Sequence, residues 1–226
     1  MTDGAYEPDL QSVREELVAC GTRLLGKGLL TQTSGNLSIR LSPETMAITP
    51  TSIEYDTMKP EDIVVCAMDG TVLAGTKAPS SETPLHAAVY QHRDDINAIV
   101  HTHSGHATTL AILGMPIPAV HYIIASLNTT TVPVAAYSTY GTPELAASVR
   151  DTFQAPGMAV LIANHGMVAG GRTLKQAADG AETTEILAGY YYRGLAVGRP
   201  NVLTARQMDE VFAKYRRKPV DASTRH

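Results

Sequence analysis

Residues 96–106 read INAIVHTHSGH, an apolar, largely β-branched run that ends in three histidines within six positions. An apolar run of this length predicts a buried strand. Side chains two apart on a strand project from the same face, so His101 and His103 point together. Two such imidazoles can share one metal ion, in the way zinc favours. An H-x-H pair alone is weak evidence of a site, and three readings compete. In the first, the histidines are satisfied polar groups at a strand end. In the second they belong to an H-x-H-x-D-H metallo-hydrolase; His101, His103 and His106 have that spacing, but Gly105 replaces the aspartate that would bind metal and orient water. The third adds a distant histidine, His165, in Asn164-His165-Gly166 between the apolar runs AVLIA and MVAGG. A buried imidazole there needs a partner. Three neutral histidines would leave a fourth zinc position open, the catalytic arrangement.

Outward from this strand, helix and strand patterns alternate. Apolar residues at Leu10, Val13, Leu17, Cys20, Leu24 and Leu25 predict an amphipathic helix over 9–28, stopped by Gly26 and Gly28. LSIRL, 46–49 and 63–68 read as strands, and Asp69-Gly70 between CAM and TVL is a hairpin signal. Further helices are expected over 82–92, capped by Ser80 or Ser81, and over 104–112, 142–152, 173–195 and 204–217. Residues 158–162 and 165–169 read as a strand pair. The hairpin argues against a purely parallel sheet, so the expected class is an α/β domain with a mixed sheet covered by helices.

The 226 residues are 44% hydrophobic and 18% charged, with no linker-like stretch, and one domain spanning 1–226 is expected. Net charge is −4. The one basic cluster, Lys214, Arg216, Arg217 and Lys218, reads as a solvated helix end, and nucleic acid is not an expected partner. Cys20 and Cys66 lie far apart in apolar contexts and read as buried hydrophobes of a reducing compartment. No membrane span or signal peptide is evident, so a cytoplasmic location is expected.

Three turns are rich in hydroxyls and amides: Thr33-Ser34-Gly35-Asn36, Thr49-Pro50-Thr51-Ser52 and Pro79-Ser80-Ser81-Glu82. Together they could cradle a phosphate without lysine or arginine. The plain alternative for the last is an N-cap followed by a first-turn glutamate that complements the helix dipole.

TSGNLSIR, ITPTS, KAPSSETPLH, AIVHTHSGHAT, IPAVHYIIA, YSTYGTPEL and ANHGMVAGG occur in this order along nearly the whole chain. In this set the sequence resembles the class II aldolase/epimerase family of sugar-phosphate enzymes. The resemblance implies a three-layer α/β/α fold with a central mixed, largely antiparallel sheet. It implies one Zn²⁺ per subunit on His101, His103 and His165, with Glu82 as catalytic acid/base and as a ligand in the empty site. Gly35, Asn36, Thr51, Ser52, Ser80 and Ser81 match the phosphate-binding loops. Tyr122 matches a tyrosine that serves a neighbouring subunit's active site in a homotetramer.

The implied reaction is reversible cleavage of a ketose 1-phosphate, such as an L-fuculose 1-phosphate-like sugar, to dihydroxyacetone phosphate and a short aldehyde. HYIIASLNT lacks the acidic residue that epimerases of the family carry in this segment. Decarboxylase, epimerase, dehydratase and non-catalytic metal-binding readings remain as alternatives. Two stretches depart from the pattern. TPTS stands where the family's TPTG places a glycine against phosphate, and the tail from Tyr215 does not align with the family's tyrosine-bearing tail. His106 is expected to be structural, and His86, four residues after Glu82, is a candidate to orient it.

Overall fold

The computed structural model describes residues 9–217. Lys218 and the tail beyond it, with the side chains of Arg216 and Arg217, lie outside the described residues, so most of the expected basic cluster does too.

The first helix, α1 (Leu10–Gly26), starts where the Asp9 carboxylate accepts the backbone N–H groups of Gln11 and Ser12. It buries Val13, Leu17, Cys20 and Leu24, the stripe that the sequence spacing marks. After it come β1 (Asn36–Arg40), β2 (Thr45–Ile48), β3 (Val64–Ala67), β4 (Val72–Ala74), α2 (Thr83–His92) and β5 (Ala98–Thr102). Then follow α3 (Gly105–Ile112), β6 (Ile117–Pro118), β7 (Thr131–Val132), β8 (Val134–Ala135) and α4 (Pro143–Thr152). The described chain closes with β9 (Ala159–Ile162), β10 (Gly166–Gly171), α5 (Leu174–Val197) and α6 (Ala205–Arg217).

Eight strands form one sheet in the order β4-β3-β2-β1-β5-β10-β9-β8. Every pairing in it is antiparallel except β8 with β9, the mixed, largely antiparallel sheet that the family resemblance implies. Strand alternation sorts the core into two layers. Leu37, Ala47, Val100, Leu161 and Met167 pack with α1, α3, α5 and α6 on one face. Met46, Ile99, Val160, Ile162 and Val168 pack with α2 and α4 on the other. The result is the expected three-layer α/β/α architecture.

Two expectations shift. The helix after PSSE begins at Thr83, with Glu82 itself in the N-cap position, and neither Ser80 nor Ser81 caps it. The short strands β6, β7 and β8 were not anticipated. Two residues are too few to show a period, and Pro133 interrupts the run that carries β7 and β8.

Candidate active site

His101 is the fourth residue of β5, on the α2 side of the sheet, and its neighbour across β1 is Asn36. His103 follows just after the strand ends. His165 sits in the tight turn between β9 and β10, where Asn164 takes a left-handed φ of 55°. A glycine must come next: a Cβ on Gly166 would lie 2.4 Å from the Thr102 carbonyl oxygen and 2.9 Å from the His103 ring. The same holds at Gly35, where φ is +83° and a Cβ would lie 2.6 Å from the His101 carbonyl oxygen. These close approaches press the two loops against the end of β5.

The three imidazoles converge, with ring centroids 4.8–4.9 Å apart. One ligand atom from each, together with a Glu82 oxygen, fits within 4.8 Å. The His101 Nδ1–H donates to the Met167 carbonyl at 2.9 Å, which turns Nε2 inward. That Nε2 lies 2.9 Å from His103 Nε2 and 3.0 Å from Glu82 Oε2. Glu82 Oε1 is 3.3 Å from His165 Nε2, yet it accepts no hydrogen bond. Although Glu82 occupies the N-cap position of α2, its side chain caps nothing. The carboxylate serves the histidines, not the helix.

The electrostatics agree with a cation site. Burial opposes ionisation of Glu82, but His101 and His165 outweigh it and hold the carboxyl well below the usual range. His101 is pushed up in spite of its burial, because Glu82 faces it. Burial, reinforced by the charge of His101, pushes His103 down to about 3 and His165 to about 4. A single positive charge can therefore sit among four inward-facing ligand atoms. Three nitrogens and one carboxylate, with an orphaned buried oxygen, fit a divalent metal ion.

A cavity of about 360 Å³ opens beside this cluster. It is lined by Gly35, Asn36, Thr51, Ser80, Ser81, Glu82, His103 and His165, so the three turns meet as expected. No lysine or arginine lines it among the described residues. His101 is fully buried behind this wall.

Two anticipated residues lie elsewhere. Tyr122 opens a 3-10 turn (Tyr122–Leu127), is 54% exposed, and stacks on His121 away from its own cavity. Ser52 does not line the cavity, but its φ of 59° keeps the left-handed conformation in which a glycine is at ease. Holding an L-residue there costs about 1–2 kcal/mol. Ser52→Gly should therefore raise stability by about 0.5–1 kcal/mol, after allowing for glycine's greater chain entropy. Thermal unfolding checks this; a lower melting temperature would contradict it.

Thr33, Ser34 and Pro50 of the first two turns also line the cavity, with Asn164 and with Tyr137, Ser138 and Tyr140, to which the sequence reading assigned no role. Tyr137 and Tyr140 belong to a loop that passes over Ser81: a Cβ on Gly141 would meet the Ser81 carbonyl oxygen at 3.0 Å. No local pattern in YSTYG announces that contact. His106 lies outside the cluster, with its Nε2 3.0 Å from the Arg193 guanidinium.

Residues 15–192 match the family described as Class II Aldolase and Adducin N-terminal domain. The chain belongs to this family. It is 42% identical over 211 residues to a 5-deoxy-D-ribulose 1-phosphate aldolase of Bacillus thuringiensis serovar kurstaki, covering 91% of this chain and 96% of that one. It is 39% identical over 189 residues to an L-fuculose phosphate aldolase of Haemophilus influenzae, covering 83% of this chain and 86% of the relative. A solved L-fuculose 1-phosphate aldolase superposes with a TM-score of 0.88 at 39% identity, over 94% of this chain and all of the other. The protein is accordingly an enzyme of the class II aldolase type, a carbon–carbon lyase, with a Glu/His cluster suited to metal. No helix among the described residues is long and apolar enough to cross a membrane.

Proposed function

We propose that this chain, as one class II aldolase-type domain, catalyses reversible zinc-dependent aldol cleavage of a ketose 1-phosphate to dihydroxyacetone phosphate and a short aldehyde. The observation that carries the reading is the meeting of Glu82 with His101, His103 and His165 beside a hydroxyl-lined cavity. His101, His103 and His165 would hold the metal, with Glu82 joining them when no substrate is bound. A bound divalent metal supplies Lewis acidity toward the ketone and its adjacent hydroxyl.

The protein's own groups do the rest. Gly35, Asn36, Thr51, Ser80 and Ser81 hold the phosphate through hydroxyl, amide and backbone donors, with Ser52 shaping the turn. Breaking the C3–C4 bond leaves an electron pair on C3, and Glu82 supplies the proton that completes the hydroxymethyl group. In the other direction Glu82 removes that proton. Tyr122, exposed and turned from its own cavity, would serve the aldehyde oxygen in a neighbouring subunit of a homotetramer.

Among ketose 1-phosphates, a 5-deoxypentulose 1-phosphate is the first candidate. The 42% identity to an enzyme of that name supports it, as do the aromatic walls of Tyr137 and Tyr140, which suit a methyl-ended aldehyde. L-fuculose 1-phosphate, also a deoxy sugar, is the second, supported by the 0.88 structural match. Dihydroxyacetone phosphate offered with acetaldehyde, lactaldehyde and glycolaldehyde, beside keto-acid and pentulose phosphates, tests the reading. Condensation with acetaldehyde or lactaldehyde is expected. Turnover confined to a keto-acid phosphate would move the activity to a decarboxylase.

Sharing of the site between subunits has its own test. Mixing a His103→Ala protein with a Tyr122→Phe protein should restore part of the activity, because one interface can then join an intact metal site to an intact tyrosine. No recovery after demonstrated subunit exchange would contradict sharing.

A further inference from the structure

Behind Glu82 and Asn36 runs a buried polar chain whose further members, His86, Ser38 and Tyr90, the reaction as described does not use. Asn36 Nδ2 donates to Glu82 Oε2 at 2.9 Å. His86 Nε2 meets Asn36 Oδ1 at 2.5 Å, and His86 Nδ1 meets Ser38 Oγ at 2.6 Å. Ser38 Oγ in turn lies 2.7 Å from the Tyr90 hydroxyl. Ser38, His86 and Tyr90 are all at most 1% exposed, and Asn36 is 4% exposed.

The direction of every hydrogen bond in this chain follows from its end. A carboxylate only accepts, so the Asn36 amide nitrogen must face Glu82 and its oxygen must face His86. His86 Nε2 therefore carries a proton. The His86 ring is fully buried and its two nitrogens meet only the neutral Asn36 amide and Ser38 hydroxyl, so the ring is neutral and Nδ1 accepts. Ser38 then donates to Nδ1, which leaves its oxygen to accept from Tyr90. Burial also raises the Tyr90 phenol above its ordinary range, so it keeps the proton it donates. Tyr90, Ser38, His86 and Asn36 all donate toward Glu82 Oε2. Donors aligned in series polarise one another. Oε2 is thereby held, while Oε1 accepts no hydrogen bond.

We propose that His86 is a positioning residue for Glu82, acting through Asn36, with Ser38 and Tyr90 fixing its tautomer. This rests on the reading of Glu82 as the proton carrier. It also gives the route for the candidate orienting role of His86: His86 and Glu82 share one end of α2, and Asn36 of β1 stands between them. A core-filling histidine would need neither a fixed tautomer nor a one-way chain ending on a carboxylate.

Two substitutions separate the roles. His86→Gln keeps an N–H near the place of Nε2 and an acceptor for Ser38; His86→Phe keeps only the volume. Partners that orient a metal ligand cost about 10–100-fold in metal affinity or activity when removed. In zinc-loaded protein, His86→Phe should lower kcat for exchange of the dihydroxyacetone phosphate methylene proton by about that factor, with KM little changed. Its stripped form should also bind zinc more weakly. His86→Gln should recover most of both. A folded His86→Phe with parental kcat and zinc affinity would overturn the proposal, as would a Gln variant no better than Phe.

Should His86→Phe fail to fold, nitrogen-15 NMR of the parent protein decides instead. The expected spectrum has Nε2 protonated and Nδ1 bare, and the opposite tautomer would overturn the chain. Parental exchange in Glu82→Gln would instead contradict Glu82 as proton carrier. The zinc affinity of His86→Phe then still reports whether His86 holds that carboxylate.

Discussion

Glu82→Gln should slow exchange of the dihydroxyacetone phosphate methylene proton by about 10²–10⁴-fold, the usual loss when a general acid–base is removed. Glutamine keeps the length of the side chain and an oxygen that can accept from Asn36, but it cannot carry a proton near neutral pH. The expected variant is folded, retains metal on the three histidines and still binds ketose phosphate. A helix-end role would predict a different result, a stability loss of about 0.3–1 kcal/mol with exchange intact. The structure already counts against that alternative, since Glu82 makes no cap hydrogen bond. Exchange at the parental rate in the variant would remove Glu82 from the chemistry.

His103→Ala has the second large effect, on the metal itself. His103 and His165 present neutral nitrogens to the cluster, because burial pushes both well below the ordinary histidine range. Deleting one of three such donors should weaken zinc binding by more than about 10²-fold, since even partners outside the ligand set cost about 10–100-fold. Activity should fall with metal content. His103 is only half-buried, so the stripped variant should stay within about 1 kcal/mol of the parent in stability. A full metal complement in the purified variant would show that the ligands lie elsewhere.

Much of this was legible in the sequence, for local reasons. INAIVHTH is an apolar run of strand length, and the period of two alone places His101 on the face opposite Val100. Asp69-Gly70 announced an antiparallel hairpin, and the spacing from Leu10 to Leu24 announced α1. The convergence of His165 on the pair stayed one of three open readings until the family resemblance selected it, because β10 lies beside β5 only through a long connection. What escaped notice was set by contacts between distant segments. Tyr137 and Tyr140 reach the cavity because Gly141 lets their loop rest on Ser81. His86 reaches Asn36 across 50 positions because α2 lies over β1. The start of α2 was misjudged by one residue, and that residue matters: as N-cap, Glu82 is free to turn away from the helix.

The central claim is that this metal cluster and Glu82 labilise a proton on dihydroxyacetone phosphate. Exchange of that proton in deuterated water, followed by NMR without any aldehyde, tests it most directly. The zinc-loaded protein should exchange one of the two methylene hydrogens, lose the activity when stripped by a chelator and regain it when zinc is restored. Exchange that persists undiminished in fully stripped protein, or that never occurs in the zinc-loaded one, would contradict the account.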